Sequence, residues 1–589
     1  MSPLKIQRPP EWGIEPVPPT HGIMGFIDYF ALWSSLGVGL LVFLAGSLLV
    51  PGLGLKQASL AILLGTVVGN ILLALAGYVG SREAIPTMVL LRPVLGIRGS
   101  YIPTLLNILQ LVGWGAFEVI IMAQAASQIS QKLFGFSAFV PWVAFFSIWC
   151  TLMAIGGPLM VVRDWIEKFA IWLVYGITIY LTWYLFSHYD IPALWRKPGT
   201  GELPFLIGVD LVIAMPISWM PLVADYNRFA RKAGSAFWGT YLGYLVANVW
   251  FYALGALFIL ALGTQDLIPA ILSLAGGMIA LILILVDETD NAFADIYSAA
   301  VSAQNIIPKV PQWVLVTLVG LICLILGATV PITQYENFLL LIGSVFVPLF
   351  GVLAAHYFFV EKGRYRVEEI YQPRGRYWYA EGFNWKGLVA WALGIATYHA
   401  VVKFIPWLGA SIPSFVVAFL VHWVLNLKIV IEARKVAYAV VLTALVVVFS
   451  PFYVPVGITK IQPAQHMINV IAAVLVGPWY ALAVATAAAI IRNALNLGTI
   501  FAFPGGMIGA FLAGWAYRLS RNIYLAALAE VIGTGLIAST LSALVIGPVF
   551  LKKTMALGTF ILAFSASTIA GSILGVLILL GLKGAGFRW

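Results

Sequence analysis

Apolar stretches of about 20 residues recur along the whole chain and are separated by short polar segments. A helix needs about 20 such residues to cross the hydrocarbon core of a bilayer. Windowed hydropathy predicts about 18 spanning helices, and therefore an all-α polytopic membrane protein. The apolar start near Phe26 follows a Pro-rich polar leader, 8–21, without a small-residue cleavage site. We interpret it as a span and not as a signal peptide.

Polar residues interrupt this pattern most sharply in the stretch 285–295, which reads LVDETDNAFAD. The wholly apolar run 278–286 leads into it. Each charged group at the centre of a bilayer costs about 2.5–3.5 kcal/mol on insertion scales. Such groups are retained where they face a water-filled cavity or an ion path. The pattern therefore indicates a protein that moves a solute or an ion across a membrane.

Composition and charge support a membrane protein. The chain is 62% hydrophobic and 10% charged, whereas soluble domains are about 25% charged. The net charge of +10 lies mostly in alternate loops, and the loops of the other parity hold little beyond Arg196 and Lys197. The positive-inside rule then predicts cytoplasmic N- and C-termini. The cations form no continuous patch, which argues against a nucleic-acid partner. The basic residues of the predicted cytoplasmic loops include Arg82, Arg98, Arg228, Arg231 and Arg376.

A short charged segment divides the predicted spans into about twelve and about six. We predict a boundary at 428–432, which gives an N-terminal module, 1–427, and a C-terminal module, 428–589. Both modules would begin and end in the cytoplasm, since each has an even number of spans. Cys150 and Cys323 lie in separate predicted spans, so we expect no disulfide.

Two spans of the N-terminal module contain helix-breaking sequences. The first contains WSSLGVG at 33–39, and the sixth contains MPISWMP at 215–221. Corresponding interruptions in two halves predict an inverted-repeat transporter with its site at the bilayer midplane. The alternative is a proline kink and a glycine-rich packing face, which are common in membrane helices.

Several motifs in order resemble the nucleobase–cation symporter family, and within it the CytX-type permeases proposed to carry hydroxymethylpyrimidine. They include Gly69-Asn70, the run 77–80, Val112-Gly113-Trp114 and the run 224–229. The resemblance covers about residues 8–427. It implies twelve helices, ten of them in a five-plus-five inverted repeat, and two extra helices.

The resemblance also implies a pyrimidine site. Trp114 matches the Trp that stacks on the heterocycle, and Ser218 matches a substrate-contacting position. Glu118, one turn after Trp114, suits an exocyclic amine beside a ring nitrogen, because a carboxylate accepts from the amine and, if the ring or the acid is protonated, forms a second hydrogen bond. The second stacking aromatic falls on Pro216, a departure for which Trp219 is the candidate replacement. Lipid-interface packing is the alternative role of Trp114.

The family's cation site implies carbonyl ligands near Ser35 and Val38 and side-chain ligands on the eighth span. Positions i, i+3 and i+4 of that span are Asp287, Asp290 and Asn291, which share one helix face. Close carboxylates rarely both stay ionised in a dry site, so we expect one to hold a proton. The sequence leaves sodium and proton coupling both open, and a structural hydrogen-bonded cluster is the alternative. No other metal and no cofactor is expected.

The C-terminal module resembles ThiW, the thiazole-specific S component of energy-coupling-factor transporters. The resemblance runs from about 430 to 580 and rests on motifs that include QHMINV at 465–470, GPWY at 477–480, AFPGG at 502–506 and EVIGTG at 530–535. It implies a six-helix bundle that partners a transmembrane coupling protein and ATPases. The chain has no phosphate-binding P-loop motif, so any ATPase is a separate subunit.

Polar residues cluster where such a bundle would hold hydroxyethylthiazole. They are Gln465, His466, Asn469, Arg492, Asn493 and Glu530. Two alternatives stay open: a helix-end hydrogen bond for His466, and a structural pair between Arg492 and Glu530. Ala433 and Ala437 form a small-xxx-small face that suits docking on the coupling protein.

Together these features predict an importer of thiamine precursors in the plasma membrane of a prokaryote, with pyrimidine and thiazole substrates and lipid around it. The alternative is a cytosine or purine permease fused to a vitamin-binding membrane module of other specificity. The chain shows no soluble effector domain of a receptor. Asp287 and Asp290 lie on one helix, whereas aspartyl proteases place their pair on separate helices, so we do not expect an enzyme.

Overall fold

The computed structural model describes residues 12–158, 169, 171–264, 266–330, 335–427, 433–456, 459–495, 497–552, 556–585 and 587. The chain divides into two compact units, Met1–Leu427 and Lys428–Trp589. The predicted boundary segment, 428–432, lies outside the described residues. Each unit has its own hydrophobic core.

Unit 1 is built of helices, and the acidic stretch 285–295 lies within one of them. In chain order they are α1 (Phe26–Ser35), α2 (Leu40–Ser47), α3 (Leu55–Glu83), α4 (Thr87–Leu90), α5 (Arg92–Leu95), α6 (Tyr101–Phe134), α7 (Phe139–Gly156), α8 (Ile171–His188), α9 (Ile191–Arg196), α10 (Phe205–Trp219), α11 (Val223–Asn227), α12 (Ala233–Leu262), α13 (Leu267–Ser273), α14 (Gly277–Gln304), α15 (Gln312–Thr329), α16 (Tyr335–Ala354), α17 (Val367–Ile370), α18 (Trp385–Phe404) and α19 (Ser411–Asn426).

Short turns complete unit 1. A π-helical turn, Ala355–Val360, continues α16, and 3₁₀ turns lie at Pro19–His21 and Pro406–Leu408. The helix α1 packs on α12, α12 on α3, and α14 on α6. Because α6 packs against α14, Trp114 and Glu118 lie on the helix next to the one that carries Asp287, Asp290 and Asn291.

The first predicted span is broken, as the sequence indicates. The helices α1 and α2 meet at an angle of 59° across residues 36–39. The break leaves backbone groups of the first span without partners in their own helix. Such groups are tolerated at membrane depth where other protein groups or a polar cavity satisfy them.

The sixth span is broken at the C-terminal end of the predicted stretch, 215–221. Pro216 lies inside α10, which continues to Trp219, and the interruption covers residues 220–222 before α11 begins. The ring of Pro216 packs against α3 at Gly69, where a Cβ would lie 2.5 Å from Pro216 Cγ. The interruption therefore falls at Pro221, not at Pro216.

The motif 224–229 ties the end of this broken span to its neighbours. Asp225 accepts a hydrogen bond from the backbone N–H of Thr87 at 3.0 Å. Asn227 accepts one from the Trp33 indole at 3.0 Å and donates one to Thr240 at 2.9 Å. Arg228 donates to the carbonyl of Gly13 at 2.8 Å. The motif thus holds α11 against α1, α4 and α12.

Unit 2 is a helix bundle with one small hairpin. Its elements are α20 (Ala433–Val448), β1 (Val454–Val456), β2 (Thr459–Ile461), α21 (Pro463–Leu475), α22 (Pro478–Ala494), α23 (Ala502–Ser520), α24 (Ile523–Ile532), α25 (Ser539–Leu541), α26 (Gly547–Leu551) and α27 (Leu557–Gly584), with π-helical turns at Gly533–Ala538 and Ser542–Ile546. The strands pair antiparallel, with Pro455 opposite Lys460.

Length and hydropathy identify the membrane-crossing helices. Within the described residues, nine helices are long and apolar enough to span a bilayer, or ten if the bent pair α1 and α2 counts as one span. Three shorter apolar helices, α10, α19 and α21, accompany them. The prediction of an all-α polytopic membrane protein is confirmed.

Candidate functional site

The break in the first span faces the acidic stretch of α14. The hydroxyl oxygen of Ser35 lies 2.7 Å from Oδ1 of Asp287 and 2.6 Å from Oδ2 of Asp290. A hydroxyl group has one hydrogen, so it donates to only one of these carboxylates. The other carboxyl group must itself carry a proton or share a cation with Ser35. The geometry thus favours a bound positive charge at this point.

Two further contacts join the break to α14. Asn291 Nδ2 donates to the carbonyl oxygen of Val38 at 2.9 Å. The backbone N–H of Leu40, at the start of α2, donates to Oε2 of Glu288 at 2.7 Å. The five residues predicted for the cation site, Ser35, Val38, Asp287, Asp290 and Asn291, therefore lie together. Among the described residues, no group of three or more His, Cys, Asp or Glu side chains has a metal-binding arrangement.

A pocket lies beside this junction, between the break, α6, α10 and α14. All four residues predicted to bind the pyrimidine line it. The lining residues are Leu36, Gly39, Leu41, Val42, Trp114, Glu118, Met215, Ser218, Trp219, Asn291 and Asp295. The pocket therefore combines two indole rings, one carboxyl group from α6 and polar groups from α14.

The aromatic and hydroxyl groups of the pocket are held in fixed positions. Trp114 and Trp219 are 6% and 7% exposed. Trp219 meets the ring of Trp33 edge to face, with ring centres 6.3 Å apart. The hydroxyl of Ser218 donates to the carbonyl of Met215 at 2.6 Å. Ser218 therefore offers a ligand mainly its oxygen lone pairs.

Sequence reasoning missed two carboxyl groups of this region. Asp295 lines the pocket, and the carboxyl group of Glu288 lies within hydrogen-bonding reach of that of Glu118. A hydrogen bond between two carboxyl groups requires a proton on one of them. Glu288 and Asp295 share a helix face with Asn291, because they lie three residues before it and four residues after it. Extending the predicted face by one turn in each direction would have found them.

The carboxyl groups of the pocket are deeply buried. Asp287, Glu288, Asp290 and Asp295 are at most 2% exposed, and Glu118 is 4% exposed. In the described part of the chain, none of them forms an ion pair with Lys, Arg or His. Five such groups cannot all be ionised in a dry site, so they must hold protons or cations.

Unit 2 contains a separate polar pocket at the end of α22. Its lining residues are Gln462, Gln465, His466, Arg492, Thr499, Phe501, Ala502, Gly505, Gly506, Thr534, Phe564 and Ser567. The guanidinium of Arg492 donates to the side-chain oxygens of Gln465 and Gln462. It makes no ion pair with Glu530, so the alternative of a structural Arg492–Glu530 pair is wrong.

Glu530 instead supports the other side of this pocket. Its Oε1 lies 2.8 Å from Nδ1 of His466 and accepts from Asn469 Nδ2 at 3.0 Å. Asn469 and Glu530 are fully buried behind the lining. Asn493 donates to the carbonyls of Ala489 and Thr499 and does not line the pocket. Of the six residues predicted for the thiazole, Gln465, His466 and Arg492 line the pocket.

The predicted docking face lies on α20. Ala433 is the first residue of that helix, and Ala437 is exposed one turn later.

Comparison with known families identifies both segments. The sequence model of the family "Permease for cytosine/purines, uracil, thiamine, allantoin" matches residues 16–421. The chain belongs to this permease family. Residues 436–585 match the ThiW family, described as a thiamine-precursor transporter protein. Both resemblances that the sequence indicates are confirmed, and the chain is a transporter and not an enzyme.

Permeases from several bacteria are similar to unit 1. YxlA of Bacillus subtilis, which is named as a purine-cytosine permease, is 27% identical over 65% of this chain and 85% of its own length. The hydantoin permease of Microbacterium maritypicum is 23% identical over 63% of this chain and 81% of its own length. The cytosine permease of Escherichia coli K12 is 26% identical, with coverages of 61% and 82%.

Solved structures show the same fold. Mhp1, a nucleobase-cation-symport-1 family transporter in a closed conformation with bromovinylhydantoin bound, has a TM-score of 0.64 at 20% identity, and the match covers 70% of this chain and 94% of Mhp1. A Na⁺-coupled sialic acid symporter has a TM-score of 0.50 at 12% identity, over 69% and 89% of the two chains. These likenesses show the broken-helix transporter fold of unit 1.

Proposed function

We propose that this chain imports the two ring precursors of thiamine. Unit 1 takes up hydroxymethylpyrimidine, or a closely related aminopyrimidine, by coupling to a cation. Unit 2 binds hydroxyethylthiazole for uptake. The observation that carries the proposal for unit 1 is that the carboxyl group of Glu118 lines one pocket together with two indole rings and residues of the break of the first span.

The chemistry of the first pocket fits an aminopyrimidine. Flat heterocycles pack well against indole faces, since stacked aromatic pairs add about 0.5–1.5 kcal/mol beyond buried area. The carboxyl group of Glu118 can accept from an exocyclic amine and share a proton with the adjacent ring nitrogen. Trp114 and Trp219 would therefore contact the ring, and Ser218 would accept a hydrogen bond from it.

Cation coupling is proposed from the contact between the broken first span and α14. Ser35, Asp287 and Asp290 meet at distances that need a proton or a cation between them. Sodium would take oxygen ligands from these residues, from Asn291 and from the carbonyl of Val38. A proton would sit on one carboxyl group. Uptake into proteoliposomes under a sodium gradient or under a proton gradient alone separates the two coupling ions.

The proposal for unit 2 rests on its pocket and its ThiW match. Gln465, His466 and Arg492 offer polar groups on one side, and Phe501 and Phe564 offer aromatic rings for a planar ligand. A coupling protein and ATPases are proposed partners that would dock at Ala433 and Ala437.

A cytosine or purine permease fused to a module of other specificity is the second candidate. The similarity to the cytosine permease of Escherichia coli favours it. Competition decides between the two: excess hydroxymethylpyrimidine should block uptake of its labelled form, and excess cytosine should not. Efficient block by cytosine alone would overturn the pyrimidine assignment and leave the permease fold untouched.

The orientation is also a proposal. The alternating positive loops favour cytoplasmic termini in a prokaryotic plasma membrane. Single cysteines introduced at Ser187, an exposed residue in the last turn of α8, and at Arg374, in the loop that follows α17, test it because the two positions lie at segments of opposite parity. A membrane-impermeant thiol reagent applied to intact cells should label the first position and not the second, because only the first would face outward.

A further inference from the structure

The charge of unit 2 is unusual around its pocket. Residues 433–589 contain a single acidic residue, Glu530, and that residue is held by His466 and Asn469. Arg492 is 3% exposed, so its guanidinium is buried away from water. A buried charge normally needs an opposite charge as a partner, because desolvation costs several kcal/mol. The C-terminal segment supplies no such partner for Arg492.

The groups that do contact Arg492 are neutral and are fixed in place. Gln462 and Gln465 accept from its two terminal nitrogens. Gln462 is anchored because its backbone N–H donates to Ser567 at 2.8 Å and its amide donates to the carbonyl of Ser450 at 3.2 Å. The guanidinium is thus aimed by two amide groups that orient it without cancelling its charge.

In the described part of the chain, one donor of Arg492 is left without a partner. Its Nε is buried and has no hydrogen-bond partner among the described residues. A guanidinium has five N–H donors arranged to match the oxygens of a carboxylate or a phosphate. Buried polar atoms without partners are rare in folded proteins and each requires an explanation. A ligand oxygen beside Nε would satisfy this one.

Part of the pocket lining is apolar. Phe501 and Phe564 line it, and both pack against Phe560, with ring centres 4.9 Å and 5.7 Å apart. These rings offer a flat surface to a planar heterocycle. The pocket therefore combines aromatic rings with a fixed, uncompensated cation.

We propose that the pocket around Arg492 binds a ring compound that carries an anionic group, either a phosphate ester or a carboxylate. This inference rests on the proposed binding of a thiazole by unit 2. It adds that the ligand carries a negative charge. The ring packs on the phenylalanine wall, and the anionic oxygens take the free donors of Arg492. The anion supplies the negative charge that the sequence of this segment lacks.

The test compares matched ligands on the full-length chain in nanodiscs of phosphatidylcholine, a lipid without net charge. Calorimetry measures the affinities of hydroxyethylthiazole, its phosphate monoester, a carboxylate of the same ring, and inorganic phosphate. One of the two anionic thiazoles should bind about 10- to 100-fold more tightly than the neutral alcohol, as expected for a hydrogen-bonded charge pair. Which of the two binds identifies the anionic group.

Substitutions then assign this preference to Arg492. In Arg492→Gln the ratio between anionic and neutral affinities should fall toward one, and Arg492→Lys should keep part of it because the positive charge remains. Arg518→Gln is the matched control, since Arg518 is an exposed residue on α23 that stacks on Trp515, and it should keep the full ratio.

The outcomes separate the inferred charge from the proposed function. Equal binding of neutral and anionic thiazoles, or a preference that survives in Arg492→Gln, overturns the anionic ligand and leaves thiazole binding intact. If inorganic phosphate binds as tightly as the ester, the anion site is supported, but the thiazole ring contributes nothing to binding and the proposed thiazole ligand is wrong. No binding of any of these compounds overturns both.

Discussion

Glu118 carries a carboxyl group into a pocket whose other walls are largely aromatic and apolar. At the scale of single residues, this group decides which heterocycle unit 1 can hold. Its neighbours include the carboxyl group of Glu288 and the acidic face of α14. A ligand with donors is therefore favoured over one with acceptors.

Replacing Glu118 by Gln should weaken uptake of hydroxymethylpyrimidine. Loss of a hydrogen bond to a charged group costs about 1.5–3 kcal/mol, which corresponds to a roughly 10- to 100-fold rise in Kd. Competition binding on the purified protein measures this rise in Kd. Glu202→Gln is the control, because Glu202 is exposed and does not line the pocket. Unchanged uptake by Glu118→Gln would remove this residue from the site.

Replacing Asp287 or Asp290 by Asn should abolish accumulation driven by an ion gradient. Each amide can still accept from the hydroxyl of Ser35, so the fold is kept while the negative charge is lost. Counterflow without a gradient should continue. Proteoliposome uptake with and without the gradient measures both, with Asp266→Asn, an exposed loop residue, as the control. Full gradient coupling in both variants contradicts an ion site here.

Sequence reasoning placed residues on the right helix face more reliably than it chose their partners. The i, i+3, i+4 spacing of Asp287, Asp290 and Asn291 follows from helix geometry alone, and the structure brings all three to the break. The partner of Arg492 depends on which helices meet. An acid such as Glu530 is the obvious candidate from charge, but packing sets it against His466.

At the scale of elements, the decisive feature is the contact between the α1–α2 break and α14. The break itself is predictable, because WSSLGVG combines small residues with poor helix formers. The exact position of the second break is not predictable from the local sequence. Proline usually ends a helix, but Pro216 is accommodated against Gly69 of α3, and the chain leaves the helix only near Pro221. The residue at which this helix ends depends on packing against a neighbouring helix, which the local sequence does not reveal.

Adding one methyl group at Gly39 should disturb this contact. A Cβ there would lie 2.9 Å from Nδ2 of Asn291 and 3.1 Å from the carboxyl oxygens of Glu288. The break and α14 would have to separate, so Gly39→Ala should lose most of its transport while still inserting into the membrane. Transport assays and size-exclusion profiles in detergent measure the two effects.

Gly176→Ala is the matched control for that change. Gly176 lies on α8, and a Cβ there would meet nothing within 4 Å. It should transport as well as the unmodified chain. If Gly39→Ala does so too, the contact between the break and α14 is not needed for transport.

At the scale of the whole molecule, the chain joins two units that each possess a core and a polar pocket. The two family matches, 16–421 and 436–585, leave only a short segment between them. The residues of the unit 2 pocket all come from 462–567, and its core is formed within the same unit. Nothing needed to build the second pocket therefore comes from the first unit.

The segment 428–589 expressed alone should insert, fold and bind a thiazole. Its helices bury their own apolar faces, and the groups that orient Arg492 lie within it. Trp479 lies in the first turn of α22, and Arg492 lies in the last turn. These positions are 13 residues, or roughly 20 Å of helix, apart, so the fluorescence of Trp479 is a poor reporter of binding in the pocket. Calorimetry is therefore the suitable measurement. The segment carrying Arg518→Gln should bind equally well. A segment that is helical by circular dichroism yet binds neither neutral nor anionic thiazoles at millimolar concentration would show that this unit serves another ligand.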